Sequence, residues 1–135
     1  MTQTPDGMRT TRQRTAVLRA LEADDEFRTA QEWHEALRRN DEAVGLTTVY
    51  RTLAALAQNG AVDSIVGEDG EARYRRCDAR THHHHLVCRT CGACVELSAE
   101  DVEVWADAVA RAHGYAEVSH TVEIFGICPS CRAQP

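Results

Sequence analysis

One stretch restricts the fold of this chain more than any other, a run of four histidines that leads directly into a Cys-x-x-Cys motif. It extends from His82 to Cys91 and includes the apolar pair Leu86-Val87, so it does not resemble an affinity tag. Neutral imidazole and thiolate are the standard protein ligands of zinc and its neighbours. The fold must therefore hold this stretch where further metal ligands can reach it.

The histidine run is predicted to be a β-strand, because it contains an apolar pair and neither glycine nor proline. Side chains of a strand alternate between the two faces of a sheet. His82 and His84 then point to one face, and His83 and His85 point to the other. Neither pair completes a four-coordinate site, so the pattern predicts two metal sites back to back on one strand.

The six cysteines are interpreted as metal ligands rather than disulfides. The N-terminus has no apolar signal segment, and no stretch approaches the roughly 20 apolar residues that span a bilayer, so we expect a reducing, cytoplasmic location. Two Cys-x-x-Cys knuckles predict a closed structural zinc site, with a redox dithiol pair as the alternative. Its ligands would be Cys88, Cys91, Cys128 and Cys131. Cys94 exceeds the four positions that zinc needs and is predicted to lie outside the site.

Ligands that complete the two histidine faces are left open by the residues alone. Two candidates precede the histidine run and two follow it, namely Asp63, Cys77, Glu103 and His120. The first two are candidates for the face of His83 and His85, and the last two for the face of His82 and His84. Spacing fixes neither assignment, since each carboxylate can equally be a solvated charge and the later histidine a core residue.

Residues 1–76 are predicted to form three helices followed by a β-hairpin. After a disordered arm over residues 1–8 and an N-cap at Thr11, apolar residues recur at helical spacing over residues 12–24, 29–40 and 47–60. Two short alternating runs, residues 61–66 and 71–76, flank a turn that contains Gly67 and Gly70. This order indicates a winged helix-turn-helix, whose last helix enters the major groove of DNA.

Residues 77–81 are interpreted as a hinge, and residues 82–135 as a strand–strand–helix–strand domain. One small sheet with an open edge is too little to be stable alone, so dimerisation through this domain is predicted. The fold class is thus α+β, with an N-terminal winged helix-turn-helix followed by a small α/β dimerisation domain that holds structural zinc.

The helix of the second domain is expected over residues 99–113, with Ser98 and Asp101 as its capping pair. Its apolar stripe of Val102, Trp105 and Val109 is predicted to be buried. The last strand of the domain is expected over residues 117–125.

A net charge of −6 weighs against a nucleic-acid binder, because phosphates require a basic surface. The charge is uneven, however, and the first 19 residues contain four arginines against one aspartate. The basic N-terminus and the start of the third helix can reach phosphates, base edges or a minor groove. The candidates are Arg9, Arg12, Thr47, Thr48, Tyr50 and Arg51. The alternative is a solvated helix face with a half-buried tyrosine.

Taken together, these segments resemble the ferric uptake regulator (Fur) family of bacterial metal-responsive repressors. The resemblance covers nearly the whole chain from Arg9. The matching segments are TRQR (residues 11–14), GLTTVYRTL (45–53), YRRC (74–77), HHHHLVCRTC (82–91) and EIFG (123–126), which leads to the C-terminal knuckle. They are most similar to the zinc uptake regulator branch of the family, as found in actinobacteria.

The resemblance implies a homodimer that binds operator DNA and represses when metal is bound. It implies one structural zinc and one or two regulatory zinc ions per subunit, and no catalysis, membrane or small-molecule substrate. The structural zinc falls on the two knuckles. The regulatory site falls on Asp63, Cys77, His83 and His85. A second site falls on His82, His84, Glu103 and His120.

Two departures bear on the metal. Phe27 stands where iron- and manganese-type relatives often place a histidine ligand, and Cys77 where they tend to use a carboxylate. A thiolate favours zinc over manganese, and counts less firmly against nickel. We therefore expect a zinc-responsive repressor of zinc-homeostasis genes. The alternatives are an iron-, nickel- or peroxide-sensing regulator of the same family, and a zinc hydrolase, which would need an open coordination position.

Overall fold

The computed structural model describes residues 5–76 and 82–134, which belong to two units, Met1–Arg80 and Thr81–Pro135. The predicted hinge, residues 77–81, lies outside the described residues. Across the two described ranges, no helix combines the length and the apolar character that crossing a lipid bilayer requires.

The N-terminal unit is a winged helix-turn-helix, as predicted. Its helices are α1 (Pro5–Ala23), α2 (Ala30–Arg39) and α3 (Leu46–Gln58), and its strands are β1 (Arg28–Thr29), β2 (Val62–Val66) and β3 (Ala72–Arg76). The strands form an antiparallel sheet in the order β1-β3-β2. Helix α3 follows α2 after a short connection, residues 40–45, and the β2–β3 hairpin forms the wing.

Local signals set the boundaries of α2 and α3. The Thr29 side chain accepts a hydrogen bond from the Glu32 N–H at 3.1 Å, and the Glu32 carboxylate accepts one from the Thr29 N–H at 2.9 Å. This is a capping box, which satisfies two otherwise unpaired donors of the first turn. Helix α3 ends at Gln58 with Asn59 as its C-cap, and Gly60 follows with a φ of 77°, a conformation that favours glycine.

The core of this unit lies where the apolar stripes of the three helices meet the sheet. Its buried residues are Ala16, Val17, Leu21, Ala30, Trp33, Leu37, Val44, Val49, Leu53, Leu56, Val62 and Tyr74. The indole N–H of Trp33 donates to the Tyr74 carbonyl at 3.0 Å and so joins α2 to β3. Each fully buried large apolar side chain contributes roughly 1.5–3 kcal/mol, so the recognition helix rests on a rigid base.

Two predictions for the N-terminal unit are wrong. Helix α1 begins at Pro5, so residues 5–8 are helical rather than a disordered arm, and Thr11 lies inside the helix rather than at its N-cap. Proline is compatible with a first helical turn, because the N–H that it lacks would have no partner within the helix. Strand β1 was not predicted, since two residues are too few to show an alternating pattern.

The C-terminal unit contains one small mixed sheet and two helices. The strands are β4 (His84–Cys88), β5 (Cys94–Leu97) and β6 (Glu123–Gly126), and the helices are α4 (Glu100–Ala112) and α5 (Pro129–Arg132). The sheet order is β5-β4-β6, with β4 antiparallel to β5 and parallel to β6. The histidine strand therefore lies at the centre of the sheet.

Helix α4 differs most from its prediction. None of its residues is buried, and Trp105 and Val109 are 66% and 41% exposed. The expected burial of this stripe is wrong for a single chain, because the stripe finds too little apolar surface in its own unit. The helix is also capped by Ala99 without a side-chain hydrogen bond, so the predicted pair of Ser98 and Asp101 is wrong as well.

The end of the chain was predicted only in part. The last strand begins at Glu123 rather than at residue 117, where Glu117 has a positive φ of 55° that interrupts extended backbone. Helix α5, a single turn, was not predicted, because four residues show no helical periodicity.

Candidate metal centres and nucleic-acid interface

The four knuckle cysteines form one cluster at one end of the sheet of the C-terminal unit. Cys88 ends β4 and Cys91 lies in the turn that follows, while Cys128 caps α5 and Cys131 lies within it. The Sγ atoms of Cys91 and Cys128 are 3.7 Å apart. A tetrahedral zinc ion with Zn–S bonds of about 2.3 Å would hold its sulfurs about 3.8 Å apart, so the cluster fits zinc.

Backbone donors already favour thiolate in this cluster. The N–H groups of Cys91 and Cys128 point to the Sγ of Cys88 at 3.5 and 3.3 Å. Burial opposes ionisation of Cys88, but these donors outweigh it and lower the pKa of Cys88 to about 6. A hydrogen bond to the sulfur of Cys128, together with burial, instead favours the protonated thiol and raises the pKa of Cys131 to about 12. A divalent cation would take the place of that shared proton.

A second cluster joins β4, α4 and the segment before β6. The Oε1 atom of Glu103 lies 3.1 Å from the Nε2 of His82, 2.7 Å from that of His84 and 3.0 Å from that of His120. The Nε2 atoms of His82 and His120 are 3.3 Å apart. Zinc bound to nitrogen and oxygen at about 2.0 Å would separate its ligand atoms by about 3.3 Å, so this set also fits a tetrahedral ion.

Glu103 is ionised in this cluster. Desolvation opposes its charge, but hydrogen bonds from His84 and His120 outweigh that cost and lower the pKa of Glu103. The ring of His84 is almost fully buried, at 2% exposure, while Glu103 is open to solvent on one side. The cluster thus offers one carboxylate and three imidazoles, a donor set that suits zinc.

The histidines of the opposite face also lie together. The rings of His83 and His85 are 4.8 Å apart and nearly perpendicular, at 82°. Asp63, proposed as their partner, is a half-buried residue of β2 in the N-terminal unit, where it pairs in register with Arg75. Cys77, the other proposed partner, lies outside the described residues.

One neighbour of His85 was missed by the sequence analysis. Glu123 pairs with His85 across the parallel strands β4 and β6, and its Oε1 lies 3.9 Å from the His85 Nδ1. A carboxylate beside a ligating histidine typically orients the ring and increases its basicity. No sequence signal could have found this neighbour, because it depends on the register of two strands that are far apart in the chain.

The start of α3 presents an open, uncapped surface. Its first turn has no acidic residue and its N-cap, Gly45, makes no side-chain hydrogen bond, so backbone N–H groups remain available to phosphate. Thr47, Tyr50 and Arg51 are exposed, and Thr48 is partly exposed. Tyr50 is 44% exposed, which agrees both with a solvated helix face and with a surface that contacts DNA.

Helix α1 adds positive charge to this unit. Arg12 is exposed, and within the part of the chain that the structure describes it forms no ion pair, as is also true of Arg51. Arginines without a carboxylate partner are free to contact phosphate. The side chain of Arg9 lies outside the described part of the molecule.

Comparison with known proteins agrees with this architecture. The family model described as "Ferric uptake regulator family" matches residues 5–125. The zinc uptake regulation protein of Mycobacterium tuberculosis H37Rv is 54% identical over 127 residues, which cover 94% of this chain and 97% of that protein.

Solved structures are similar as well. The crystal structure of FurB from M. tuberculosis, a zinc uptake regulator, has 55% identity and a TM-score of 0.56, covering 93% of this chain and 97% of that one. A zinc uptake regulator complexed with zinc and DNA has 31% identity and a TM-score of 0.71, covering 89% of this chain and 81% of that one. The chain therefore belongs to the ferric uptake regulator family.

Proposed function

We propose that this protein is a zinc-responsive transcriptional repressor, which binds operator DNA as a metal-loaded homodimer and controls zinc-homeostasis genes. One observation carries the proposal. A unit with two ligand clusters at tetrahedral zinc spacing belongs to the same chain as a winged helix-turn-helix. Such a pairing suits a protein whose DNA binding depends on metal.

Ligand chemistry supports zinc as the metal. The knuckle cluster offers four sulfurs and the Glu103 cluster offers three imidazoles and a carboxylate, whereas manganese and magnesium prefer sites built from oxygen. The similarity to a zinc uptake regulation protein points the same way. We propose one structural zinc on the cysteines and one or two regulatory zinc ions per subunit.

Exposed apolar surface supports the homodimer. Leu86 pairs in register with Val95 on one side and Ile124 on the other, and these three side chains are 40%, 54% and 50% exposed. Trp105 and Val109 add a second exposed apolar surface on α4. Apolar surface of this extent usually marks an interface, and a two-fold symmetric dimer would bury both copies of each surface at once.

We propose a regulatory site on Asp63, Cys77, His83 and His85, on the strength of the family resemblance and the donor set. Two of these ligands precede residues 78–81 and two follow, so sharing one zinc ion would restrict that segment. The restriction would select a separation of the two winged helices that matches two half-sites on one face of DNA. A coupling of about 1–3 kcal/mol per site is typical of allosteric proteins.

Two variants, each with one cysteine replaced, test this proposal. Cys77→Ser is expected to abolish zinc-dependent binding to an operator duplex while the dimer stays folded, as measured by fluorescence anisotropy and sedimentation. Cys94→Ser is the matched control, because Cys94 lies outside the four-sulfur cluster, and it should retain the zinc response. A full zinc response in Cys77→Ser would show that this residue is not part of the switch.

A further inference from the structure

The tip of the wing, residues 67–73, is held in one conformation by its own hydrogen bonds. The N–H of Gly67 donates to the Glu71 carbonyl at 2.9 Å, and the N–H of Gly70 donates to the Gly67 carbonyl at 2.9 Å. The N–H of Glu71 donates to the Asp69 carboxylate at 3.0 Å. The Gly70 φ of 84° favours glycine at the corner. The tip is therefore a defined structural element rather than a loose loop.

Arg73, the one cation in this tip, is fastened to Asp69. Its two terminal nitrogens donate to the two carboxylate oxygens of Asp69 at 2.8 and 3.0 Å, and one of them also donates to the Glu71 carbonyl at 3.3 Å. The guanidinium lies so close to the backbone that a Cβ at Gly67 would collide with it. A bidentate pair of this kind fixes orientation as well as charge.

The charge of the tip is opposite to that of the surfaces expected to meet DNA. The tip contains three carboxylates, those of Glu68, Asp69 and Glu71, and a single guanidinium. The hydrogen bonds from Arg73 hold the pKa of Asp69 well below its usual range, so the carboxylate stays charged. In contrast, Arg12 on α1 and Arg51 on α3 are exposed and form no ion pair among the described residues. Positive charge is thus available on the helices, whereas the single cation of the wing tip is neutralised.

We propose that the wing tip stays outside the DNA interface and weakens non-specific DNA binding by electrostatic repulsion, with Asp69 holding Arg73 away from phosphate. The inference rests on the proposed DNA-binding function and adds to it an element that limits affinity for DNA. The tip joins β3 to β2, a strand that packs against the recognition helix α3, so it belongs to the same unit as the surface expected to contact DNA. Repulsion acts over about 8–10 Å at physiological salt.

Such repulsion would lower the affinity for every duplex by about the same factor, because the phosphate backbone is the same at operator and random sites. Non-specific binding comes almost entirely from phosphate contacts, so a random-sequence duplex reports the repulsion without a contribution from base contacts. The tip would therefore limit overall DNA affinity and leave discrimination between sequences to base contacts.

The test measures DNA affinity against salt concentration for four variants of the zinc-loaded, full-length protein. The probes are a random-sequence 30-base-pair duplex and an operator duplex selected from a randomised pool by the wild-type protein. Arg73→Gln removes the cation, Asp69→Asn frees it, and Glu68→Gln removes one tip carboxylate but leaves the pair intact. Glu35→Gln is the matched control, because it removes an exposed carboxylate beside an arginine on α2, outside the wing.

The proposal predicts that Arg73→Gln leaves the salt dependence of operator binding unchanged. Asp69→Asn should tighten binding to the random duplex by about three- to tenfold at low salt, and should steepen the slope of log K against log salt by about 0.9, the value for one new phosphate contact. Glu68→Gln should tighten binding to the random duplex by about twofold with no change of slope. Glu35→Gln should change neither quantity.

Three results would overturn the proposal. A slope reduced by about 0.9 in Arg73→Gln would show that Arg73 contacts phosphate in the complex. Unchanged affinity of Asp69→Asn and Glu68→Gln for the random duplex would show that the tip exerts no repulsion. An equal effect of Glu35→Gln would assign the effect to net charge alone. Failure of the wild-type protein to select any operator with zinc would instead contradict the proposed function.

Discussion

The Sγ atoms of Cys91 and Cys128 lie 3.7 Å apart, although 36 residues separate them along the chain. This distance is close to one edge of a zinc–sulfur tetrahedron. Cys91 belongs to the turn after β4, and Cys128 is the N-cap of α5, so the pair joins the central strand to the end of the chain. The cluster therefore links the end of β4 to α5, the helical turn that follows β6.

Loss of this cluster is expected to unfold the end of the C-terminal unit. Cys128→Ser should release one zinc ion per chain and lower the melting temperature of this unit, because structural zinc sites contribute roughly 10–16 kcal/mol in small domains. Zinc content by elemental analysis and thermal unfolding by circular dichroism would measure both effects. Cys94→Ser should retain the zinc. Full zinc content in Cys128→Ser would contradict the four-sulfur assignment.

Zinc binding at the cysteines should depend on pH in a defined direction. Cys91 and Cys131 have raised pKa values. The N–H of Ala93 lowers the pKa of Cys91, but burial and the neighbouring sulfurs together outweigh it, so both thiols are protonated at pH 7 and must release protons to bind zinc. Zinc affinity should therefore rise by about a hundredfold from pH 7 to pH 8. Below pH 6, where Cys88 also becomes protonated, the dependence should steepen.

A competition titration with a zinc chelator across pH 5.5–8 would measure this dependence. Proton release can be followed separately with an indicator dye in weak buffer. A zinc affinity that does not change between pH 7 and pH 8 would show that the thiols are already ionised without metal.

Removing the charge of Glu103 should prevent zinc binding at the histidine cluster around it without affecting zinc binding at the four cysteines. Changes in the residues around a metal ligand weaken binding by roughly 10–100-fold, so Glu103→Gln, which alters a direct ligand, should weaken it by at least as much. Zinc per chain is expected to fall by one, as measured by calorimetry and elemental analysis. Glu100→Gln is the control, since Glu100 lies in the same first turn of α4 outside the cluster. Equal zinc content in the two variants would refute the assignment.

Helix α4 should hold the dimer together. Trp105→Asp is expected to raise the dimer dissociation constant by at least about a hundredfold, because a two-fold dimer would bury this side chain twice and each burial contributes roughly 1.5–3 kcal/mol. Sedimentation equilibrium would measure it. Tyr50→Asp, which alters an exposed aromatic residue of the N-terminal unit, should leave the dimer intact. A tight dimer in Trp105→Asp would place the interface elsewhere on the unit.

Sequence patterns predicted the winged helix because its signals are local. The capping box of Thr29 and Glu32 and the stripe of Val49, Leu53 and Leu56 depend only on residues within a few turns of the same helix. The zinc site of the two Cys-x-x-Cys knuckles was predicted for the same reason, since each knuckle contributes two ligands at fixed spacing.

What could not be predicted depends on contacts between distant segments. The stripe of Trp105 indicates an apolar face, but periodicity does not tell whether that face is buried by its own chain or by a second copy. The parallel register that brings Glu123 beside His85 also has no local signal. The ion pair between Asp69 and Arg73 was not predicted, because the sequence shows only a polar turn.

The central claim, that zinc controls DNA binding, is tested most directly by operator affinity measured against buffered free metal. Fluorescence anisotropy of a labelled operator duplex would be followed while free Zn²⁺, Ni²⁺, Fe²⁺ and Mn²⁺ are varied in parallel. Zinc is expected to tighten operator binding by at least about thirtyfold, since a coupling of about 1–3 kcal/mol per site is doubled in a dimer. Tight binding restored by Fe²⁺ or Mn²⁺ at physiological concentrations, but not by Zn²⁺, would contradict it.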